Sequence, residues 1–401
     1  MYPSKTITFD YAPEEQDFIY LDEAATSWPK PPEVLETVLH SMMRAGTPSR
    51  SSHKKALEAS RALSSSRRIV AEALGVSEIE NLTFQPGCTQ ALNMLIKGIV
   101  KPGTRVLLSP FEHNSVTRPL YRMAREQGVE LIKIPINAEG VVKLSALMDL
   151  LKEHPGASVV CQHASNVSGA IQPVGDLADL VHKYGARVIV DGAQSAGHIP
   201  FDFDMMQVDG WACPGHKGLR GPTGVGIAIM DDSVEVEPLL EGGTGSGSEE
   251  ATEPLYARPE AYEVGTQNLP AIEGLAKAVS LIAPHIHERR KVEDEYCRLM
   301  MSGLQEIDGI HILGPQLGSP RVPVVSFVVE DVSSEYIASI LDRNYHVAVR
   351  SGLHCAPSAH EVYGSLFTGT VRASFSADTP REWIEDFPGM VKEIVSQKSI
   401  I

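Results

Sequence analysis

The 401-residue chain is predicted to be an α/β protein, with a large domain on a mostly parallel seven-stranded sheet and a small C-terminal α+β domain. Three observations predict this. Short apolar runs alternate with helical patterns from about residue 80 to 230, and such alternation implies right-handed crossovers with helices on both faces of a sheet. Two of the runs end in chemistry-bearing residues, Asp191 and the turn Gly215-His216-Lys217. Beyond a change of character at residues 241–260 and a long helical stretch, shorter strands recur. The expected boundaries are 20–270 for the large domain, 271–284 for a connecting helix, and 1–19 with 285–401 for the small domain.

Taken in order, strands are expected at Asn81–Phe84, Arg105–Leu108, Leu131–Ile134, Ser158–Gln162, Arg187–Val190, Val208–Ala212 and Val225–Met230. Helical patterns lie between them at Ala91–Val100, Val116–Glu126, Leu144–Glu153 and Asp176–Tyr184. Residues 241–260, glycine- and serine-rich and then acidic, read as a long loop whose length suggests function. Its G-x-G spacing has no helical pattern behind it, which argues against a dinucleotide loop. A helix over Ala271–Leu304, broken near Pro284, leads to strands at Ile310–Leu313, Val322–Val328, His346–Val349 and Thr368–Arg372. Helices at Ser334–Asp342 and Arg381–Ser396 complete the small domain.

Composition narrows the class of partner. Apolar residues make up 43% and charged residues 21%, an ordinary globular mixture. The net charge of −16 argues against nucleic acid or an anionic membrane as the main partner. The five cysteines, Cys88, Cys161, Cys213, Cys297 and Cys355, are odd in number and contain no C-x-x-C, so neither a disulfide framework nor a zinc knuckle is expected. Residues 1–16 are polar and carry acids, unlike a signal peptide, and no apolar run reaches the ~18 residues of a membrane span. A cytoplasmic enzyme acting on a small molecule is the expectation.

Ligands of open α/β sheets bind outside the carboxyl ends of the strands. If the runs ending at Asp191 and before Lys217 are parallel neighbours, an acid and an amine share one such edge. Pyridoxal phosphate needs this pair, a lysine for a Schiff base and an acid for the pyridine nitrogen. Either residue alone reads equally as a solvated surface charge. Pro86-Gly87-Cys88-Thr89, between a strand and a helix, is either an anion cradle or an ordinary N-cap. Glu112-His113-Asn114 sits at another strand end, where a histidine can stack on a planar cofactor or simply occupy a loop. Cys355, on a loop beside Arg350 and His354, is a candidate nucleophile with a lowered pKa, against the alternative of an inert packed thiol. His354, Cys355 and His360 form an incomplete ligand set, and no metal is expected. Arg372 can fork onto a carboxylate or sit in an ion pair.

In combination these residues resemble the class V aminotransferase family of pyridoxal phosphate (PLP) fold type I. Within it, they are similar to the group II (Suf-type) cysteine desulfurases and selenocysteine lyases. The resemblance runs from Tyr20-Leu21-Asp22-Glu23-Ala24-Ala25-Thr26 to Val371-Arg372-Ala373-Ser374. It includes Ser165-Asn166-Val167-Ser168-Gly169, Asp191-Gly192-Ala193-Gln194, Gly215-His216-Lys217, Gly265-Thr266 and Arg350-Ser351-Gly352-Leu353-His354-Cys355. It implies that Lys217 holds the cofactor and moves protons, that Asp191 pairs with the pyridine nitrogen, and that Gln194 bonds the ring hydroxyl. His113 would stack on the ring; Cys88, Thr89 and His216 would hold the phosphate. Thr266 would reach the cofactor of the other subunit, making a homodimer. Asn166, Arg372 and Arg350 would bind the substrate, with Arg50 and His53 at the rim. Cys355 would take sulfur from L-cysteine as a persulfide, leaving L-alanine, before passing it to a sulfur-acceptor protein. Pro214 and Leu353 depart from the group, where Ser/Thr and His are common. Selenocysteine lyase, cysteine sulfinate desulfinase or another class V activity is the alternative.

Overall fold

The chain, seen in a computed structural model, is described over residues 18–44, 46–48, 53–244 and 257–397. Arg50, the stretch before residue 18 and residues 245–256 of the expected loop lie outside the described residues. The chain begins with β1 (Ile19–Tyr20) and two helices, α1 (Pro32–Arg44) and α2 (Lys54–Ala73). Alternating elements follow: β2 (Leu82–Gln85), α3 (Cys88–Ile99), β3 (Arg105–Leu108), α4 (Asn114–Gln127), β4 (Glu130–Lys133), α5 (Leu144–Glu153), β5 (Ser158–Gln162), α6 (Val174–Lys183) and β6 (Arg187–Asp191). The short α7 (Phe203–Met206) then leads to the pair β7 (Gly210–Pro214) and β8 (Gly226–Met230).

These strands form one seven-stranded sheet in the order β2-β8-β7-β6-β5-β3-β4. Every pairing is parallel except the two made by β8. Side chains alternate strictly between the faces. Leu107, Val159, Val188, Val190 and Trp211 enter one buried core with α5, α6 and the later helix α8 (Leu269–Ile282), while Val106, Leu108, Val160, Ile189 and Ala212 enter the other with α3 and α4. Both faces are covered, so the central strands read as unbroken apolar runs. This is the mostly parallel α/β architecture expected.

The remainder of the chain runs through α8 (Leu269–Ile282) and α9 (Ile286–Gln305), separated by a 3-10 turn over Ala283–His285. Pro284 cannot donate a backbone hydrogen bond, so the long helix breaks there. Then come β9 (Ile310–Ile312), β10 (Val324–Val329), α10 (Ser334–Tyr345), β11 (Val347–Ala348), β12 (Arg350–Gly352), α11 (Pro357–Val362), β13 (Thr370–Ser374) and α12 (Arg381–Gln397). A four-stranded sheet, β12-β13-β10-β9, packs its apolar face on α9 and α12 through Phe327, Val371, Met300 and Phe387. β1 pairs with β11 in a separate two-stranded sheet, and Asp22 bridges to Ser374, so residues 19–22 are tied to β11 and β13. The expected strand His346–Val349 is shortened because His346 adopts a left-handed conformation at φ 54°. Among the described residues, no helix is long and apolar enough to cross a membrane.

Candidate active site

The carboxyl ends of β5, β6 and β7 and the first turn of α3 surround a cavity of about 690 Å³. Cys88, Thr89, His113, Asn166, Asp191, Gln194, His216 and Lys217 all line it. Asp191 ends β6 and lies beside Gln162 of β5 and Ala212 of β7. Its Oδ1 accepts the Ala193 N–H at 2.9 Å and the Cys88 thiol at 3.8 Å. Burial raises its carboxyl above the ordinary carboxylate range, and the Ala193 N–H and the Lys217 amine pull it down only in part. A buried carboxylate of this kind is stabilised by a cationic donor in the cavity.

Lys217 follows β7 in the loop of residues 215–225 that returns the chain as β8. Burial lowers the pKa of its amine, and the charges of Arg372 and Arg350 act in the same direction against Cys88 and Asp191. A neutral amine is the form that condenses with a carbonyl. His113 caps α4: its Nδ1 accepts the Ser115 N–H at 3.1 Å, which places the ring proton on Nε2. Burial, reinforced by Lys217, Arg350, Arg118 and Arg372, pushes its pKa down to about 4. His216 is likewise lowered to about 4 by burial and by Lys217 and Lys30. Both rings are therefore neutral near pH 7.

The first turn of α3 presents its open backbone N–H groups to the cavity, with Thr89 Oγ1 2.8 Å from Ser115 Oγ. Gly226 makes room for this turn: a Cβ there would stand 2.7 Å from the Gly87 carbonyl carbon and 2.8 Å from the Cys88 nitrogen. Gln162 Nε2 and Asn166 Oδ1 are buried without a hydrogen-bond partner. Orphaned polar groups are costly to bury and mark where a polar ligand completes the site. An acid, an amine of lowered pKa, an anion-binding helix start and unpartnered amides together fit a flat, phosphorylated, nitrogen-containing cofactor.

The other expected site residues are distributed more widely. Gln194 lines the cavity, but its Nε2 donates to the Ala24 carbonyl at 3.0 Å, leaving a second N–H and the oxygen for a ring substituent. Arg372 is buried on β13, paired with Asp22 at 2.9 Å and bonded to the Asn166 carbonyl at 3.2 Å, with its Nε unpartnered. Arg350 lies directly opposite it across β12 and β13. Neither arginine lines the cavity, although both depress the pKa of Lys217 and His113. Cys355 is exposed and also outside the cavity wall. Its loop is nonetheless tied to the site: Asn166 Nδ2 donates to the His354 carbonyl at 2.7 Å, and the Asn114 N–H donates to the Cys355 carbonyl at 2.8 Å. His354 and Cys355 both occupy the left-handed region, at φ 49° and 58°. Consecutive non-glycine residues there are strained, a feature concentrated at functional sites.

One expectation needs revision. His354 supplies no positive charge to Cys355: it is buried, hydrogen-bonded to Thr370 at 2.7 Å, and lowered to about 2 by burial and by Arg372, His360 and Arg350. Any cation near the thiol comes from arginine. His53 is an exposed helix cap whose Nδ1 accepts the Ala56 N–H at 3.2 Å, and it does not reach the cavity. Thr266 is exposed and lines a neighbouring cavity of about 240 Å³, sharing Pro86, Gln90 and Leu239 with the first. The structure also adds residues that sequence reasoning gave no role: Ser115 on His113, Gln162 in the cavity wall, Asp22 on Arg372, and Glu112. Glu112 is fully buried, its Oε1 accepts the Gln162 N–H at 2.7 Å, and burial with Asp191 holds its carboxyl well above the usual range. Only its place beside His113 hinted at this.

A doubly covered, mostly parallel sheet with an acid and a lysine turn at one ligand edge defines a cofactor-dependent enzyme of the α/β class. The chain belongs to the aminotransferase class-V family, which it matches over residues 19–387; members of this family and its cysteine desulfurases are PLP enzymes. It is 34% identical to a probable cysteine desulfurase of Pyrococcus abyssi, over 96% of each chain. It is 31% identical to a cysteine desulfurase of Escherichia coli, over 84% of each chain. Its fold matches the apo structure of a cysteine desulfurase from Thermococcus onnurineus with a TM-score of 0.88 and 32% identity, covering 94% of this chain and 95% of that one.

Proposed function

We propose that this chain is a PLP-dependent cysteine desulfurase that converts L-cysteine to L-alanine and keeps the sulfur as a persulfide on Cys355. The observation that carries the reading is the convergence of Lys217, Asp191 and His113 on one cavity whose Asn166 also grips the Cys355 loop. When bound, PLP supplies an electron sink for the pair left as the substrate Cα loses its proton. Asp191 would hold the ring nitrogen, the first turn of α3 with Thr89 the phosphate, and Lys217 the cofactor's carbonyl carbon. The Lys217 amine, its pKa lowered by burial, takes the Cα proton. His113 offers its Nε2 proton at the ring face. Arg372, with its unpartnered Nε, receives the substrate carboxylate, and Arg350 assists from the adjacent strand.

Cys355 Sγ then attacks the substrate sulfur. One S–S bond forms, the substrate Cβ–S bond breaks, and protonation at Cβ gives alanine. The thiol plus cysteine thus become a persulfide plus alanine, with no external oxidant. Product analysis with L-cysteine tests this reading: alanine and a 32-dalton sulfur addition (roughly, one sulfur atom) at Cys355 after one turnover are expected. Cys355→Ala should retain cofactor absorbance and lose the persulfide; normal cysteine turnover by that variant would overturn the assignment. Because Cys355 stands outside the cavity wall, a second reading is kept, as a selenocysteine lyase or cysteine sulfinate desulfinase, whose substrates release their leaving group without a thiol. Competition among the three substrates separates them.

Three further elements belong to this proposal. Residues 20–270 would form a cofactor-binding domain and 1–19 with 285–401 a smaller one, joined by 271–284, in keeping with the separate apolar cores. The active unit would be a homodimer, supported by the exposure of Thr266 beside the cofactor cavity. Five free thiols suit a cytoplasmic location, and a sulfur-acceptor protein would remove the persulfide sulfur from exposed Cys355.

A further inference from the structure

We propose that Lys30 is a positioning residue for Lys217, acting through the His216 carbonyl; the inference rests on the reading of Lys217 as the amine that captures the cofactor. The segment Trp28-Pro29-Lys30-Pro31 lies far from the lysine turn in sequence, and neither Ser27 nor Lys30 lines the cavity. Yet donors of residues 26–30 converge on a single carbonyl there. The His216 oxygen is approached by the Ser27 N–H at 2.9 Å, the Thr26 and Ser27 hydroxyls at 3.1 Å each, and Lys30 Nζ at 2.7 Å. A carbonyl has two lone pairs. The shortest of the four bonds, together with the 2.7 Å bond from Lys30 Nζ to Ser27 Oγ, places the ammonium at the centre of this knot.

The tie is reciprocal. Arg220, three residues beyond Lys217, sends its Nη2 back to the Pro29 carbonyl at 2.7 Å, and its own N–H takes the Lys217 carbonyl at 2.7 Å. The carbonyls on both sides of the Lys217 nitrogen and Cα are therefore occupied, which fixes both peptide planes. Arg220 holds a left-handed backbone at φ 57°, a conformation an arginine keeps only where its surroundings enforce it. Buried Glu23 serves as the shared counter-charge, 3.9 Å from Arg220. A lysine serving only as surface charge would leave its ammonium in water. Lys30 instead gives up solvation: burial lowers its pKa to about 8, with Glu23 opposing and Arg220 reinforcing the change. Two segments remote in sequence are thus clamped by one cation from each onto a carbonyl of the other. The lysine turn between them has little freedom to move.

The test uses full-length protein and two separate readouts. The first is the pH midpoint for acetylation of Lys217 by trace acetic anhydride after cofactor removal, read by peptide mass. Loosening the turn relaxes the burial that lowers the Lys217 pKa and so favours the protonated amine. Lys30→Met should therefore lower Lys217 labelling at fixed pH by about tenfold, equivalent to one pH unit. Lys30→Arg should hold it within about threefold of wild type. The second readout is the rate of PLP capture, expected to fall about tenfold in Lys30→Met and to recover in Lys30→Arg. If Lys30→Met fails to fold, Ser27→Ala removes a donor from the same carbonyl and is read in the same way. An unchanged Lys217 midpoint in a folded Lys30→Met, with only the melting temperature lowered, would overturn the proposal. A wild-type protein that captures no PLP while its Lys217 midpoint still answers to Lys30 would overturn the functional reading alone.

Discussion

Gly226→Ala is the sharpest probe of the phosphate cradle, because it changes no group that touches a ligand. The added methyl would lie 2.7 Å from the Gly87 carbonyl carbon and 2.8 Å from the Cys88 nitrogen, against an ordinary contact of 3.4 Å. Gly87 and Cys88, or β8 itself, must therefore move by about 0.7 Å. Strand β8 is pinned by β2 and β7 on both sides, so the yielding part is the start of α3. Overpacking of this kind costs roughly 1–3 kcal/mol of stability. Displacing preorganised donors by most of an ångström costs on the order of 10–100-fold in ligand affinity. Titration of PLP against visible absorbance, alongside thermal unfolding of the cofactor-free chain, measures both. Gly389→Ala, where nothing lies within 4 Å, is the control and should be neutral or slightly stabilising. A Gly226→Ala protein that binds PLP within twofold of wild type would refute the placement of the phosphate on this turn.

Lys217→Ala should eliminate borohydride-trapped cofactor, checked by intact mass. Asp191→Asn should slow exchange of the substrate Cα proton by orders of magnitude, measured by deuterium incorporation from solvent, because a ring nitrogen without its charged partner is a weaker electron sink. Asp22→Ala leaves buried Arg372 without its carboxylate; the loss is expected to be about 2–4 kcal/mol in a denaturant titration, below the upper end for buried pairs because Asp22 is partly exposed. His163 titrates at about 4 in the folded chain through burial alone, below the ordinary 6.5. Its contribution is present above pH 6.5 and lost as pH falls toward 4, so stability should drop by about 2 kcal/mol between pH 7 and 5 through this residue, and His163→Phe should flatten that part of the profile.

The parallel sheet was legible because its strands are buried on both faces: Ser158–Gln162 and Arg187–Asp191 are continuous apolar runs closed by a polar residue. For the same reason the sequence alone points Asp191 and Lys217 to one edge. Helix α2 was not legible, since its serines and paired basic residues blur the apolar stripe, and its stability comes from packing on α8. Roles that depend on tertiary contact were invisible too. No local pattern announces the helix cap made by the His53 imidazole, and His354 looks like a cation until its burial is known. Lys30, Asp22 and Ser115 act on partners whose proximity no local pattern encodes.

The reversed direction of β8 has a mechanical consequence. A lysine placed after the last strand of a purely parallel sheet would sit at the start of a long crossover, anchored at one end only. Here residues 215–225 lead straight into the antiparallel neighbour, and the loop carrying Lys217 hangs between two paired strands whose register runs from Gly210↔Met230 to Pro214↔Gly226. It behaves as a bridge with both abutments in the sheet. Lengthening it by one residue would have to be absorbed within the bridge or would slip β8 by one position, exchanging the residues it sends into the two buried cores. The chemistry of the amine and the packing of the sheet are thus under a single length constraint, and this turn should tolerate substitution far better than insertion.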